Sequence, residues 1–148
     1  MSASNAFETD LLKLIFNNIT LANIGDATGL VGSTSAGSLY IGLHTADPGE
    51  AGDQSTSEAA YTSYARVAVA RTTGGFTVSG NSVSNAASVA FPACTGGSAT
   101  VTYFSIGTAS SGTGHLLLSG ALTSPSSLAV SNGITPSFAI GALTATAE

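Results

Sequence analysis

Charge is what this sequence has least of. Asp, Glu, Lys and Arg make up 7% of its 148 residues, against about 25% in an average soluble protein. Lys13, Arg66 and Arg71 are its three cationic side chains, and the formal net charge is −5. So few cations neutralise few phosphates, and phosphate neutralisation supplies most of the affinity for nucleic acid, so no nucleic-acid partner is expected. Cysteine is nearly absent as well. Cys94 alone cannot close an internal disulfide, so the core must hold the fold, and no oxidising compartment is implied. Long apolar runs are missing: no window approaches the roughly 18–20 residues of a spanning helix, and no membrane partner is expected. The opening Met1-Ser2-Ala3-Ser4-Asn5 has neither the basic nor the apolar region of a secretory signal, so synthesis and retention in the cytosol are expected.

What is present is a patterned apolar fraction. Hydrophobic residues reach 43% despite abundant Gly, Ser, Thr and Ala, and their periodicity marks a folded chain. The length suits a single domain over residues 1–148. Residues 1–20 read as the one helix: Asn5 followed by Glu8 has the spacing of a capping box, and Phe7, Leu11, Leu14 and Ile15 recur at helical steps. Leu12, Phe16 and Ile19 widen that stripe, and a face so broad has to be covered by the domain's own sheet or by a neighbouring subunit. Residues 21–38, punctuated by Gly25, Gly29, Gly32 and Gly37, read as a long surface connection.

From Leu39 the period becomes two. Leu39, Ile41 and Leu43 alternate with Tyr40, Gly42 and His44, and the strand runs out at Asp47-Pro48-Gly49-Glu50, a sequence suited to a type II turn. Further strands are expected at 64–70, 75–78, 82–84, 87–91, 100–107, 115–121, 128–131 and 137–146, separated by Gly-rich turns. Residues 39–148 are thus expected to form a β-sandwich or jelly roll. The fold class is mainly β with one N-terminal helix.

Catalytic and ligand-binding patterns are not found. No Gly-x-Ser-x-Gly elbow occurs, and Lys13 lies mid-helix and not in a phosphate-cradling loop. Cys94, His44 and His115 lack zinc-ligand spacing. Asp47, Glu50, Asp53 and Glu58 could offer hard oxygen ligands, but their spacing matches no EF-hand and they read as a solvated loop. No enzyme activity, cofactor or metal is expected. His44 reads as a half-exposed strand histidine, His115 as a turn residue, and Asn18-Ile19-Thr20 as a chance sequon. Arg66 and Arg71 stand out: in a chain with so few cations, an Arg within a strand reads as a fixed ion pair or a partner contact.

Several segments in order resemble a family of small phage virion proteins usually labelled tail-fibre proteins. They are Leu39-Tyr40-Ile41-Gly42-Leu43-His44-Thr45-Ala46-Asp47-Pro48-Gly49-Glu50-Ala51-Gly52, Tyr64-Ala65-Arg66, Val89-Ala90-Phe91-Pro92 and Val101-Thr102-Tyr103-Phe104-Ser105-Ile106-Gly107. Leu118-Ser119-Gly120-Ala121-Leu122-Thr123 and Thr135-Pro136-Ser137-Phe138-Ala139-Ile140-Gly141-Ala142-Leu143-Thr144 continue the series. The resemblance covers most of the chain beyond residue 38 and implies a virion structural component without catalysis.

Tail fibres tend to be long and repetitive, whereas this chain is short and has neither heptads nor repeats. The leading expectation is therefore a capsid cement or decoration protein that binds the major capsid protein in the assembled shell. The alternative is a tail or tail-fibre component that contributes to host attachment. Either way the partners are virion proteins and further copies of the chain, as a dimer or trimer. The candidate interface residues are Phe7, Leu11, Leu14 and Ile15, laid into a groove, together with Arg66 and Arg71.

Overall fold

The computed structural model describes residues 2–147. As expected, the fold is mainly β with one N-terminal helix and several antiparallel ladders. Its contacts divide the chain into two compact units. One comprises Met1–Ser38, Val69–Val89 and Phe138–Glu148, the other Leu39–Ala68 and Ala90–Ser137.

In the first unit, α1 spans Asn5–Asn17 and is shorter at both ends than the expected 1–20. Ser4, not Asn5, is the N-cap. Its hydroxyl accepts from the Phe7 N–H at 3.3 Å, which leaves Glu8 free to turn inward and be buried. Asn18 ends the helix by adopting φ 57°, a left-handed conformation that asparagine tolerates, while the Ile19 N–H donates to the Lys13 carbonyl at 3.1 Å. The buried stripe is Glu8, Leu12 and Phe16. Phe16 meets Phe76 edge-on with ring centroids 5.0 Å apart.

Phe76 opens β3 (Phe76–Ser79), which turns through Gly80-Asn81 into β4 (Ser82–Asn85). Gly80 takes φ 59°, the conformation such a tight turn requires. The sheet order is β11-β4-β3, with β11 at Thr144–Thr146. The expected strand 137–146 is interrupted because buried Asn85 captures the chain. Its amide donates to the Ala139 carbonyl at 2.8 Å and its side-chain oxygen accepts from the Leu143 N–H at 2.9 Å, so residues 139–143 bend around it.

In the second unit, β1 (Ser38–His44) pairs antiparallel with β7 (Tyr103–Gly107), which pairs antiparallel with β8 (Leu116–Ala121). The sheet order is β2-β1-β7-β8, with β2 at Val67–Ala70. A separate ladder joins β6 (Ser98–Val101) to β9 (Leu128–Ser131). The expected single strand 100–107 is therefore two strands in two ladders. Thr102 is the bend: its N–H donates to the His44 carbonyl and its hydroxyl to the Thr45 carbonyl, both at 2.9 Å. Two short strands, β5 (Val89–Ala90) and β10 (Ser137–Phe138), form a further pair.

The core positions Ile41, Leu43, Val101 and Val130 are almost wholly excluded from solvent. His44 corrects the sequence reading, being fully buried and not half-exposed. The alternation rule assumes that one strand face meets water, but β1 lies inside its sheet and both of its faces are covered. The second face is lined by Gly42, where a Cβ would lie 2.8 Å from the Ser105 hydroxyl and 3.5 Å from that of Tyr64. A side chain at position 42 would displace the polar cluster described next.

Candidate functional site

Nearly all the buried polarity of the second unit converges between residues 54–66 and 105–114. Glu58 and Arg66 form its centre. The Arg66 Nε and Nη2 groups donate to the two carboxylate oxygens of Glu58 at 2.6 and 2.8 Å, a bidentate fork, with the arginine side chain 1% and the glutamate 19% exposed. The remaining donors of Arg66 go to the Ala109 carbonyl at 2.9 Å and the Gly112 carbonyl at 2.7 Å. The guanidinium thereby ties a surface loop to an acidic residue. The Glu58 hydrogen bonds hold the guanidinium pKa above its ordinary value, outweighing the opposing cost of burial.

Tyr64 extends the cluster, donating to Glu58 Oε1 at 2.9 Å and accepting from the Leu43 N–H at 3.0 Å. Burial pushes its phenol well above the ordinary range. His44 sits behind it. Nδ1 lies 2.8 Å from the Thr56 carbonyl, which can only accept, so Nδ1 carries the proton and Nε2 accepts from the Ser105 hydroxyl at 2.7 Å. Burial lowers the His44 pKa, against smaller raising effects from the Thr56 bond and the Glu58 charge, and the ring stays neutral. A histidine against a serine resembles part of a nucleophilic dyad. However, both side chains have no exposure, and the ring's other nitrogen is held by a carbonyl and not a carboxylate. In this position the pair fixes β1 to β7.

Gln54 completes the arrangement from the loop that follows Asp47-Pro48-Gly49, where Gly49 takes φ 69° and its N–H donates to the Asp47 carboxylate at 2.9 Å. The Gln54 N–H donates to the Thr113 carbonyl and its Oε1 accepts from the Ala109 N–H, both at 2.8 Å. Its side chain occupies the space a Cβ would take at Gly107 and at Gly114, so those glycines make its position possible. Its Nε2 has no partner among the described residues. Together Gln54 and Arg66 hold the exposed loop 108–114 from beneath.

In the first unit Arg71 has a parallel task. Its Nε donates to the Ile15 carbonyl at 2.6 Å and Nη2 to the Leu14 carbonyl at 2.8 Å, supplying the cation that the last turn of α1 lacks. Nη1 reaches the Ser33 hydroxyl and the Ala36 carbonyl at 3.3 Å. The long connection is thus pinned to the helix end. Asn18 adds a reciprocal pair with Ser33, its amide donating to that residue's carbonyl at 2.8 Å and its side-chain oxygen accepting from that N–H at 2.7 Å.

The candidate interface residues divide between the two units. Phe7 is 44% exposed on α1, Leu11, Leu14 and Ile15 are half-buried, and Arg71 lies in the same unit, at the helix end. Arg66 belongs to the other unit and spends all its donor groups internally. Further exposed apolar residues of the first unit are Ile19, Ile24, Leu30, Val31 and Ile140. The sequence reading passed over Gln54, Glu58, Tyr64 and Ser105 as members of one cluster. The available signal was Gly107 inside an apolar strand, because a strand glycine often marks the close approach of another group.

Asp47, Glu50 and Asp53 remain at least partly solvated, and no grouping of His, Cys, Asp and Glu suited to a metal occurs among the described residues. Among those residues no helix is long and apolar enough to cross a membrane. A family model described as podophage GP4 fiber I protein gp80 matches residues 2–146. No curated protein matches the chain.

Proposed function

The chain belongs to the podophage GP4 fiber I protein gp80 family, a family of phage virion structural proteins, and from that membership we propose that it is a non-enzymatic module of the tail-fibre assembly. The match over residues 2–146 carries this reading, because it takes in both compact units together. The chemistry of the molecule supports it. Buried polar groups are spent on fixing loops and not on an open reactive centre, and the exposed residues of residues 108–114 are Thr, Ser and Gly. Such a module works by protein–protein contact, presenting preorganised loops on a rigid scaffold. The test is location: an epitope-tagged copy, imaged by gold labelling on intact virions, is expected on the tail fibres.

A second reading, the capsid cement protein, is favoured by the absence of the heptads and repeats that long fibres carry. In that case the partner is the major capsid protein. Gold label distributed over the capsid, with binding of the purified chain to emptied shells, would replace the fibre reading with this one.

A further inference from the structure

Edge strands of natural proteins are kept short, charged, proline-bearing or covered, because their unpaired N–H and C=O groups recruit other chains. Strand β8 is the exception here. It lies outermost in the order β1-β7-β8 and runs for 6 residues, Leu116-Leu117-Leu118-Ser119-Gly120-Ala121, without charge or proline. The outer strands β2, β3, β6 and β9 have 4 residues each and β11 has 3. Strand β3 is further engaged by α1, whose Asn17 amide donates to the Phe76 carbonyl at 2.8 Å. The one protective device on β8 is an irregularity opposite Ile106/Gly107, and it leaves Leu118–Ala121 in regular register with β7. Leu117 remains 40% exposed.

We propose that β8 is a homotypic docking edge, to which β8 of a second copy adds antiparallel about a two-fold axis through Ser119. The strand is complementary to itself in that register. Ser119 meets its own equivalent, Leu118 lies opposite Gly120 of the second copy, and Leu117 lies opposite Ala121, so each large side chain faces a small one. Charge selects the same occupant. No Asp, Glu, Lys or Arg occurs between Arg71 and Glu148, so two copies of this acidic chain meet along β8 without like charges opposed. The edge offers a foreign partner no charge to read, whereas an identical strand needs only the backbone ladder and the alternation of large and small residues.

The test uses the full chain. Light scattering coupled to size-exclusion chromatography is expected to give twice the chain mass. Ser119→Lys and Ser119→Glu are each expected to weaken the dimer by at least about tenfold, since each sets like charges across the axis. An equimolar mixture of the two variants is expected to restore it. A monomeric wild type, a dimer indifferent to both substitutions, or a loss that mixing does not repair would each overturn the proposal. Should circular dichroism show either variant unfolded, Ser119→Cys replaces them. Diamide then oxidises the two thiols to a disulfide and takes up both hydrogens as it becomes the hydrazine, and a covalent dimer is expected on a non-reducing gel. Cys94 is buried and stays silent. Absence of that dimer would also overturn the proposal. These readouts are independent of gold labelling, so a monomeric chain on labelled fibres would sink the pairing and leave the fibre reading intact.

Discussion

Arg66 and Arg71 perform the same mechanical task in the two units by different electrostatic means. Arg66 is nearly inaccessible and faces a carboxylate, so a full positive charge meets a full negative one and each makes the other's burial tolerable. Arg71 is half-buried and faces carbonyl oxygens and a hydroxyl, so its charge meets only partial charges, above all those at the C-terminus of α1. The lesson is that a chain with few charges uses them as internal fasteners for its irregular segments. The two fasteners should also fail differently.

The largest expected effect tests the paired one. Arg66→Met leaves the half-buried Glu58 without its cation and strips the Ala109 and Gly112 carbonyls of donors, and urea unfolding is expected to show a loss of about 3–5 kcal/mol. Adding Glu58→Gln should recover part of that loss, because the stranded charge is then removed. An additive double variant would show that the pair is not coupled. Next comes the packing beneath the same loop. Gly107→Ala drives a methyl into Gln54 and is expected to cost about 2 kcal/mol, with part of the cost relieved in the Gly107→Ala, Gln54→Ala double variant.

The dipole-bound fastener should prove weaker. Arg71→Met is expected to cost about 1–2 kcal/mol and to lower the helical signal in circular dichroism. An effect equal to that of Arg66→Met would show that the two arginines do not differ in strength. The smallest effect concerns protons. His44 has a lowered pKa in the folded chain, so in mild acid the unfolded chain binds a proton that the folded one resists. Stability is therefore unaffected above the ordinary histidine value of about 6.5. It declines as pH falls from there towards the lowered folded value, by at most about 1.4 kcal/mol per pH unit. His44→Asn should flatten that slope in urea midpoints measured between neutral and mildly acid pH. The lowered Asp53 carboxyl, held by Ser55, acts in more acid solution and is not part of this window.

Periodicity made the fold class legible, and local patterns placed several elements well. Strands 82–84 and 128–131 were expected within a residue of β4 and β9. Long-range capture was illegible. The alternation of 100–107 continues smoothly through Thr102, and nothing local announces that this residue is held by His44 and Thr45 and that the chain changes ladder there. Asn85 likewise breaks a strand that lies more than 50 residues away in sequence. The site was readable only in fragments. An ion pair was one of the two uses expected of Arg66, yet its partner Glu58 was read as a solvated member of an acidic run. Burial of a loop carboxylate depends on what folds over it.

The tract beyond Arg71 has one more consequence. None of its side chains up to Ala147 is Asp, Glu, Lys or Arg, and Cys94 is enclosed. Nothing there gathers a counter-ion atmosphere, so an association made through this half of the molecule releases few ions and should hold with similar strength in dilute and in saline surroundings.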